Sequence, residues 1–123
     1  MRTIIMSPKK DFRISVEAEV ISPDRLALLD IDQIKKLAVW QGNRQHILSD
    51  LFTVESDDST ATAGDTTVRL TGDFSKVKRI GEGMTAGVIE VQGSAGMHAG
   101  NNMSGGLLSI AENARSEERR VGK

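Results

Sequence analysis

The sequence predicts a mainly β protein: a parallel β-helix of glycine-rich repeats, preceded by a small α+β segment. Three observations carry this expectation. Eight of the twelve glycines fall between Gly81 and Gly106. Short alternating apolar stretches recur there at offsets of 19 and 21 residues. From Gly83 to Ala111 the only charged residue is Glu90, whereas the last nine residues, Arg115 to Lys123, carry six charges.

The first 62 residues read as a strand-helix-helix cap. From Phe12 to Val20 apolar and polar residues alternate strictly, with Phe12, Ile14, Val16, Ala18 and Val20 on one face, the signature of a half-buried strand. Ser22-Pro23 supplies a helix start, with serine as N-cap and proline at the first helical position. Asp30 reads as a second N-cap, and Ile31, Ile34 and Leu37 or Ala38 continue at helical spacing until Gln41-Gly42-Asn43 ends the helix. Ile47-Leu48 and Leu51 to Val54 suggest a strand, and the polar stretch Glu55 to Asp65 a loop.

Residues 63–114 hold the repeats. Setting Met84 on Met103 pairs Gly87 with Gly106 and Val88-Ile89-Glu90-Val91 with Leu107-Leu108-Ser109-Ile110. A copy at an offset of 21 sets Val68-Arg69-Leu70-Thr71-Gly72 on Ile89-Glu90-Val91-Gln92-Gly93, and Phe52 to Ser56 reads as a fourth copy. Nineteen residues at about 3.3 Å each is some 60 Å of chain, too much for a hairpin and suited to one turn of a parallel β-helix. Glycines then mark corners, and Met84, Met97 and Met103 are expected to fill the interior.

Composition excludes several classes. Sixteen basic against seventeen acidic residues argue against a nucleic-acid platform. No apolar run approaches the roughly 20 residues of a membrane helix. Met1 to Lys10 lacks the apolar core of a signal peptide, so a cytoplasmic location without membrane partners is expected. With no cysteine there is no thiolate metal site and no cysteine nucleophile. Gly81-Glu82-Gly83-Met84-Thr85-Ala86 formally satisfies a dinucleotide fingerprint, but Val88 to Val91 reads as a strand where that motif needs a helix.

Candidate chemistry is sparse, and the reading assigns no catalytic, cofactor-binding or metal residue. His98 lies among glycines and alanine with no partner near it in sequence, and reads as a corner residue. His46 reads as a solvated surface position. Asp57 and Asp58 are adjacent, so an extended chain points them apart, unlike a paired acid and base. Asn101-Asn102 suits a turn, since asparagine tolerates left-handed backbone. Arg44, Lys76, Lys78 and Arg79 could contact an anion, but scattered cations more often line a wetted face.

The spacing Gly93-x-x-Gly96-x-x-x-Gly100 resembles the repeat of the β-helical domain shared by the large subunit of glutamate synthase and the C subunit of formylmethanofuran dehydrogenase. Gly83 to Gly106, Ser22 to Val39 and Leu48 to Glu55 resemble the latter, nearest the bacterial formyltransferase/hydrolase form. The resemblance covers roughly residues 10–114. It implies a right-handed β-helix serving as a non-catalytic scaffold subunit in one-carbon metabolism. Its partners would be the other subunits. The methanofuran-type formyl carrier, tetrahydromethanopterin chemistry and, in archaeal relatives, the molybdenum or tungsten pterin would be handled by those subunits. The alternative is a β-helical domain allied to glutamate synthase.

The repeat breaks at Glu112-Asn113-Ala114-Arg115, where the family has something like Gly-Asn-Ala-Gly. Residues 115–123 are therefore expected to be a non-native charged tail on a truncated N-terminal portion. A stack cut at Leu107 to Ile110 would leave an open edge, so marginal stability or aggregation is expected.

Overall fold

The computed structural model describes residues 2–9, 12–57, 61–95, 99–100, 102–112 and 115–120. It opens with β1 (Arg2–Pro8), whose Arg2, Ile4 and Met6 are buried while Thr3, Ile5 and Ser7 are half-exposed. The alternation that would mark this strand is blurred by Ile5 between Ile4 and Met6. The nine-residue strand expected over Phe12 to Val20 contracts to β2 (Val16–Glu17). Its neighbour in sequence, Ile14, is 57% exposed rather than buried. Alternation alone cannot make a strand where no partner backbone is within reach. Partners reach only its middle: Val16 and Ala18 donate to the Lys76 and Lys78 carbonyls at 2.8 and 3.1 Å, and Val16 and Glu17 pair with Gln41 and Trp40 on the other side.

Two short helices follow. Helix α1 (Pro23–Leu26) has proline in its first turn and Ser22 at the N-cap position, although the Ser22 side chain makes no capping bond. Helix α2 (Ile31–Lys35) starts as expected. Asp30 Oδ1 accepts from the Gln33 amide at 2.8 Å, and Gln33 Oε1 accepts from the Asp30 amide at 3.0 Å, closing a capping box. The helix stops well before the Gln41-Gly42-Asn43 end expected for it. Ala38–Gln41 is instead strand β3, and Gly42-Asn43 is the turn to β4 (Arg44–Ile47). Gly42 has φ +63°, which suits a two-residue hairpin turn as well as a helix end, so the same residues signal either. Leu48 and Leu51, expected in a strand, lie instead on one helical turn, α3 (Leu48–Leu51), whose inward face buries both, and β5 (Phe52–Ser56) runs into the stretch expected to be loop.

After a 3-10 turn at Ala63–Asp65 come β6 (Thr66–Phe74), β7 (Val77–Lys78), β8 (Val88–Ala95) and β9 (Leu107–Glu112). Strands β6, β8 and β9 pair in parallel. Their registers, Val68↔Ile89 and Val88↔Leu107, are the offsets of 21 and 19 read from the sequence. The turns between them repeat as well. Gly81 and Gly100 both have φ +73°, Gly83 and Asn102 have +70° and +57°, and Gly87 and Gly106 have +87° and +81°. The two corners are bonded edge to edge: the amides of Gly100, Ser104 and Leu107 donate to the carbonyls of Ile80, Met84 and Gly87 at 2.7, 2.9 and 3.0 Å. A final strand, β10 (Arg115–Arg120), lies antiparallel along β9.

The six-stranded sheet has the order β10-β9-β8-β6-β1-β5, and a four-stranded sheet the order β4-β3-β2-β7. The expected fourth copy, β5, does not stack on the repeats. It runs antiparallel to β1 at the sheet edge, and β1 takes the place beside β6. Residues 1–62 and the repeats therefore share a sheet. They also share a core, which lies against the inward residues of both sheets: Ile4, Met6, Val68, Leu70, Ile89, Val91 and Leu108 from one, Val16, Val39 and Val77 from the other. Each such aliphatic contributes about 1.5–3 kcal/mol on burial. Three of the four aromatic residues meet at one place: Phe12 packs edge-on against Phe52 at 5.5 Å, and Phe52 stacks on Phe74 at 5.6 Å. Met84 is fully buried and Met103 packs half-buried against the core, as expected; Met97 lies outside the described residues.

Candidate functional site

Among the described residues, several polar side chains fasten the chain's own backbone. Arg2 is 1% exposed. Its Nη1 donates to the Leu26 and Ala27 carbonyls at 3.1 and 2.9 Å, and its Nε to Ser56 Oγ at 3.0 Å. One guanidinium thus caps the last carbonyls of α1 and ties them to β1 and β5. Asp24, in the first turn of the same helix, accepts from the Thr85 amide at 3.0 Å and from the Thr85 hydroxyl. That pair fastens the helix to the first glycine corner. Sequence reasoning singles out neither contact; partners 24 to 61 residues apart leave no local pattern.

A second network runs along the stacked corners. Arg79 Nε sits 3.5 Å from Glu17 Oε1, and its Nη1 3.2 Å from Glu82 Oε1. Glu82 Oε2 in turn accepts from Asn102 Nδ2 at 2.9 Å, linking one corner to the next. Asn102 is left-handed, the role expected for it; Asn101 lies outside the described residues. The cations Arg44, Lys76, Lys78 and Arg79 do not converge. Arg44 is on β4 and Lys78 on β7, at opposite edges of the four-stranded sheet, and Arg79 is engaged by two carboxylates.

The other candidates are equally dispersed. His46 on β4 is half-buried, not solvated as expected, because it faces inward beside Val39. Its Nδ1 is 3.8 Å from Asp50 Oδ2, and its Nε2 is buried without a partner among the described residues. Asp57 is exposed; Asp58 and His98 lie outside the described residues. Asp73 is held below the usual carboxylate range by hydrogen bonds from the Ser75 side chain and amide, helped by the Lys76 charge. It serves the turn from β6 to β7. An open hollow of about 490 Å³ beside α3 mixes Lys9, Lys35, Asp50 and Glu55.

The glycine corner does not form a nucleotide site. Residues 81–87 are turns, and strand β8 follows them where a dinucleotide motif requires a helix N-terminus. Among the described residues no group of three His, Cys, Asp or Glu could hold a metal ion. The chain has no cysteine, so a pterin-bound metal would find no thiolate here. No helix of the described residues is long and apolar enough to cross a membrane.

No family model matches the chain. Over 98 residues it is 46% identical to the C subunit of molybdenum-containing formylmethanofuran dehydrogenase 1 from Methanosarcina barkeri, a match covering 80% of this chain and 32% of that protein. Over 100 residues it is 39% identical to the C subunit of tungsten-containing formylmethanofuran dehydrogenase 2 from Methanothermobacter marburgensis, covering 81% and 37%. The chain thus spans about a third of the length of these curated relatives. A chain in the crystal structure of the formyltransferase/hydrolase complex from Methylorubrum extorquens with methylofuran superposes with a TM-score of 0.62 at 30% identity. That superposition covers 88% of this chain and 46% of the other.

Proposed function

We propose that this chain, a homologue of the C subunit of formylmethanofuran dehydrogenase, is a non-catalytic scaffold portion of a formylmethanofuran dehydrogenase or formyltransferase/hydrolase complex of one-carbon metabolism. The observation that carries the reading is the repeated corner. Gly81, Gly83 and Gly87 match Gly100, Asn102 and Gly106 in backbone turn, and the two corners bond edge to edge between strands in parallel register. That is how a parallel β-helix grows, one turn on the next, and we read the repeats as the start of a right-handed one. The use of Arg2, Asp24, Arg79, Glu82 and Asn102 to fasten backbone and corners supports a structural role.

On this reading the complex works in the cytoplasm, its partners are the other subunits, and those subunits hold the methanofuran-type carrier and any molybdenum or tungsten pterin. Residues 115–123 are then a charged tail foreign to the repeat. The names of the relatives favour this reading over a glutamate synthase domain. The test is assembly. The purified chain, mixed with the remaining subunits of the bacterial complex, is expected to co-elute with them in gel filtration and to show no formyl transfer alone. Separate elution at micromolar concentration would remove the reading.

A further inference from the structure

We propose that the outer edge of β9, with the corner before it, docks a polypeptide segment carrying this same repeat, and that β10 is a displaceable latch over half of that site. The inference deepens the reading of the repeats as a stack that grows turn on turn. Three carbonyls define the site. In the first corner those of Ile80, Met84 and Gly87 accept from the amides of Gly100, Ser104 and Leu107. One interval further on, the carbonyls of Ala99, Met103 and Gly106 hold the same places. Among the described residues these three accept no backbone hydrogen bond, although Ala99 and Met103 are half-buried and pack against the core. Backbone acceptors in such positions call for donors.

Strand β10 does not supply them. It pairs with Leu107 to Glu112 alone and runs antiparallel, whereas β1 with β6, β6 with β8 and β8 with β9 are all parallel. Donors for the corner must come from a backbone that runs beside residues 99–107 in the same direction and turns where they turn. Such a backbone needs left-handed positions at the spacing of Gly100, Asn102 and Gly106, which few residues other than glycine and asparagine adopt. That requirement names the occupant. An ordinary extended peptide satisfies β9 and leaves the corner bare. A second copy facing β9 across a two-fold axis meets it antiparallel, as β10 does, and leaves the corner bare too. The curated relatives, of which this chain spans about a third, have the length for segments of the required kind. An incoming repeat engages the open corner first and then takes the strand edge from β10.

The chain has no cysteine, so an introduced thiol reports one position. Ser104 is exposed in the corner and Ser109 is half-exposed in the middle of β9. The probe is a synthetic peptide with the sequence of residues 99–112 and one cysteine, in place of Ser104 or of Ser109. Repeating the register of β8 on β9 sets like positions opposite one another. In a glutathione redox buffer the matched pairs with Ser104→Cys or Ser109→Cys chains are expected to form disulfides several-fold faster than the crossed pairs. A chain ending at residue 114 is expected to trap the matched peptide about tenfold faster, as removal of a latch open a tenth of the time would do. A peptide carrying Gly100→Ala and Gly106→Ala is expected to lose the preference for matched pairs. Crossed pairs as fast as matched ones, or a preference that survives both alanines, overturn the repeat-specific site. Equal trapping with and without residues 115–123 overturns the latch. A disulfide between two Ser109→Cys chains that outruns the peptide puts a second copy on the edge and overturns the assigned occupant. Co-elution with the bacterial subunits tests the scaffold role separately, and its outcome does not move these rates.

Discussion

An alanine at residue 93 would drive its Cβ into the Gly72 carbonyl oxygen on the neighbouring strand, where the backbone already has φ +146°. Gly83 also has a left-handed backbone, but nothing lies within 4 Å of the place its Cβ would take. Gly83→Ala should therefore cost about 1–2 kcal/mol, the strain of a left-handed residue. Gly93→Ala adds a backbone clash and should cost about 3 kcal/mol or more. Urea midpoints of the two variants check the difference; equal costs would mean that the strands spread to admit the methyl group. At this scale the sequence is partly legible. The Gly93-x-x-Gly96-x-x-x-Gly100 spacing marks the region, and Asn102 has the left-handed backbone that its residue type suggests. The clash that makes Gly93 different from Gly83 depends on the strand opposite, which no local spacing encodes. Arg2 is invisible for the same reason: its partners, the Leu26 and Ala27 carbonyls, exist only once α1 has packed beside β1.

Elements are legible where their partners repeat them. Strands β6, β8 and β9 can be aligned from sequence because each is the template for the next, and both offsets become registers. Phe12 to Val20 has a stronger alternation than any of them, yet only two of its residues form strand. Its partners reach no further: β7 is only two residues long, and β3 meets it only at Val16↔Gln41 and Glu17↔Trp40. Helix α1 shows how short elements survive without much internal bonding. Arg2 holds its C-terminal end and Asp24 fastens its first turn to Thr85. Asp24→Ala removes both bonds to Thr85 and, at an exposed site, should cost about 1 kcal/mol. Its sharper readout is local. Hydrogen exchange at the Thr85 amide should accelerate while the amides of β8 keep their protection; unchanged exchange at Thr85 would mean the corner stands without the helix.

For the molecule as a whole, the main surprise lies at the last repeat. A stack ending at Leu107 to Ile110 is expected to present a bare edge, but β10 lies antiparallel along β9 from Arg115↔Glu112 to Arg120↔Leu107. Its sequence, with two carboxylates and three guanidinium groups in six residues, shows no apolar alternation, so it is not legible as a strand. Charged residues on an edge strand discourage further pairing. Deleting residues 115–123 should then expose the β9 backbone and increase self-association. Light scattering of the full and shortened chains at equal concentration measures this, and equal scattering would show that β10 protects nothing.

The repeated corner also governs how such a chain can change its length. An inserted segment that matches the interval from Gly87 to Gly106 returns every left-handed position to its column and every apolar residue to the inside. A segment one residue longer or shorter turns a strand's apolar side outward, because side chains alternate. The interval from β6 to β8 is longer by two, an even number, and the facing survives. Growth is therefore quantised. A gene for this architecture can gain or lose whole rungs with little penalty, while frame-preserving insertions of other sizes are confined to loops, where no column has to be kept.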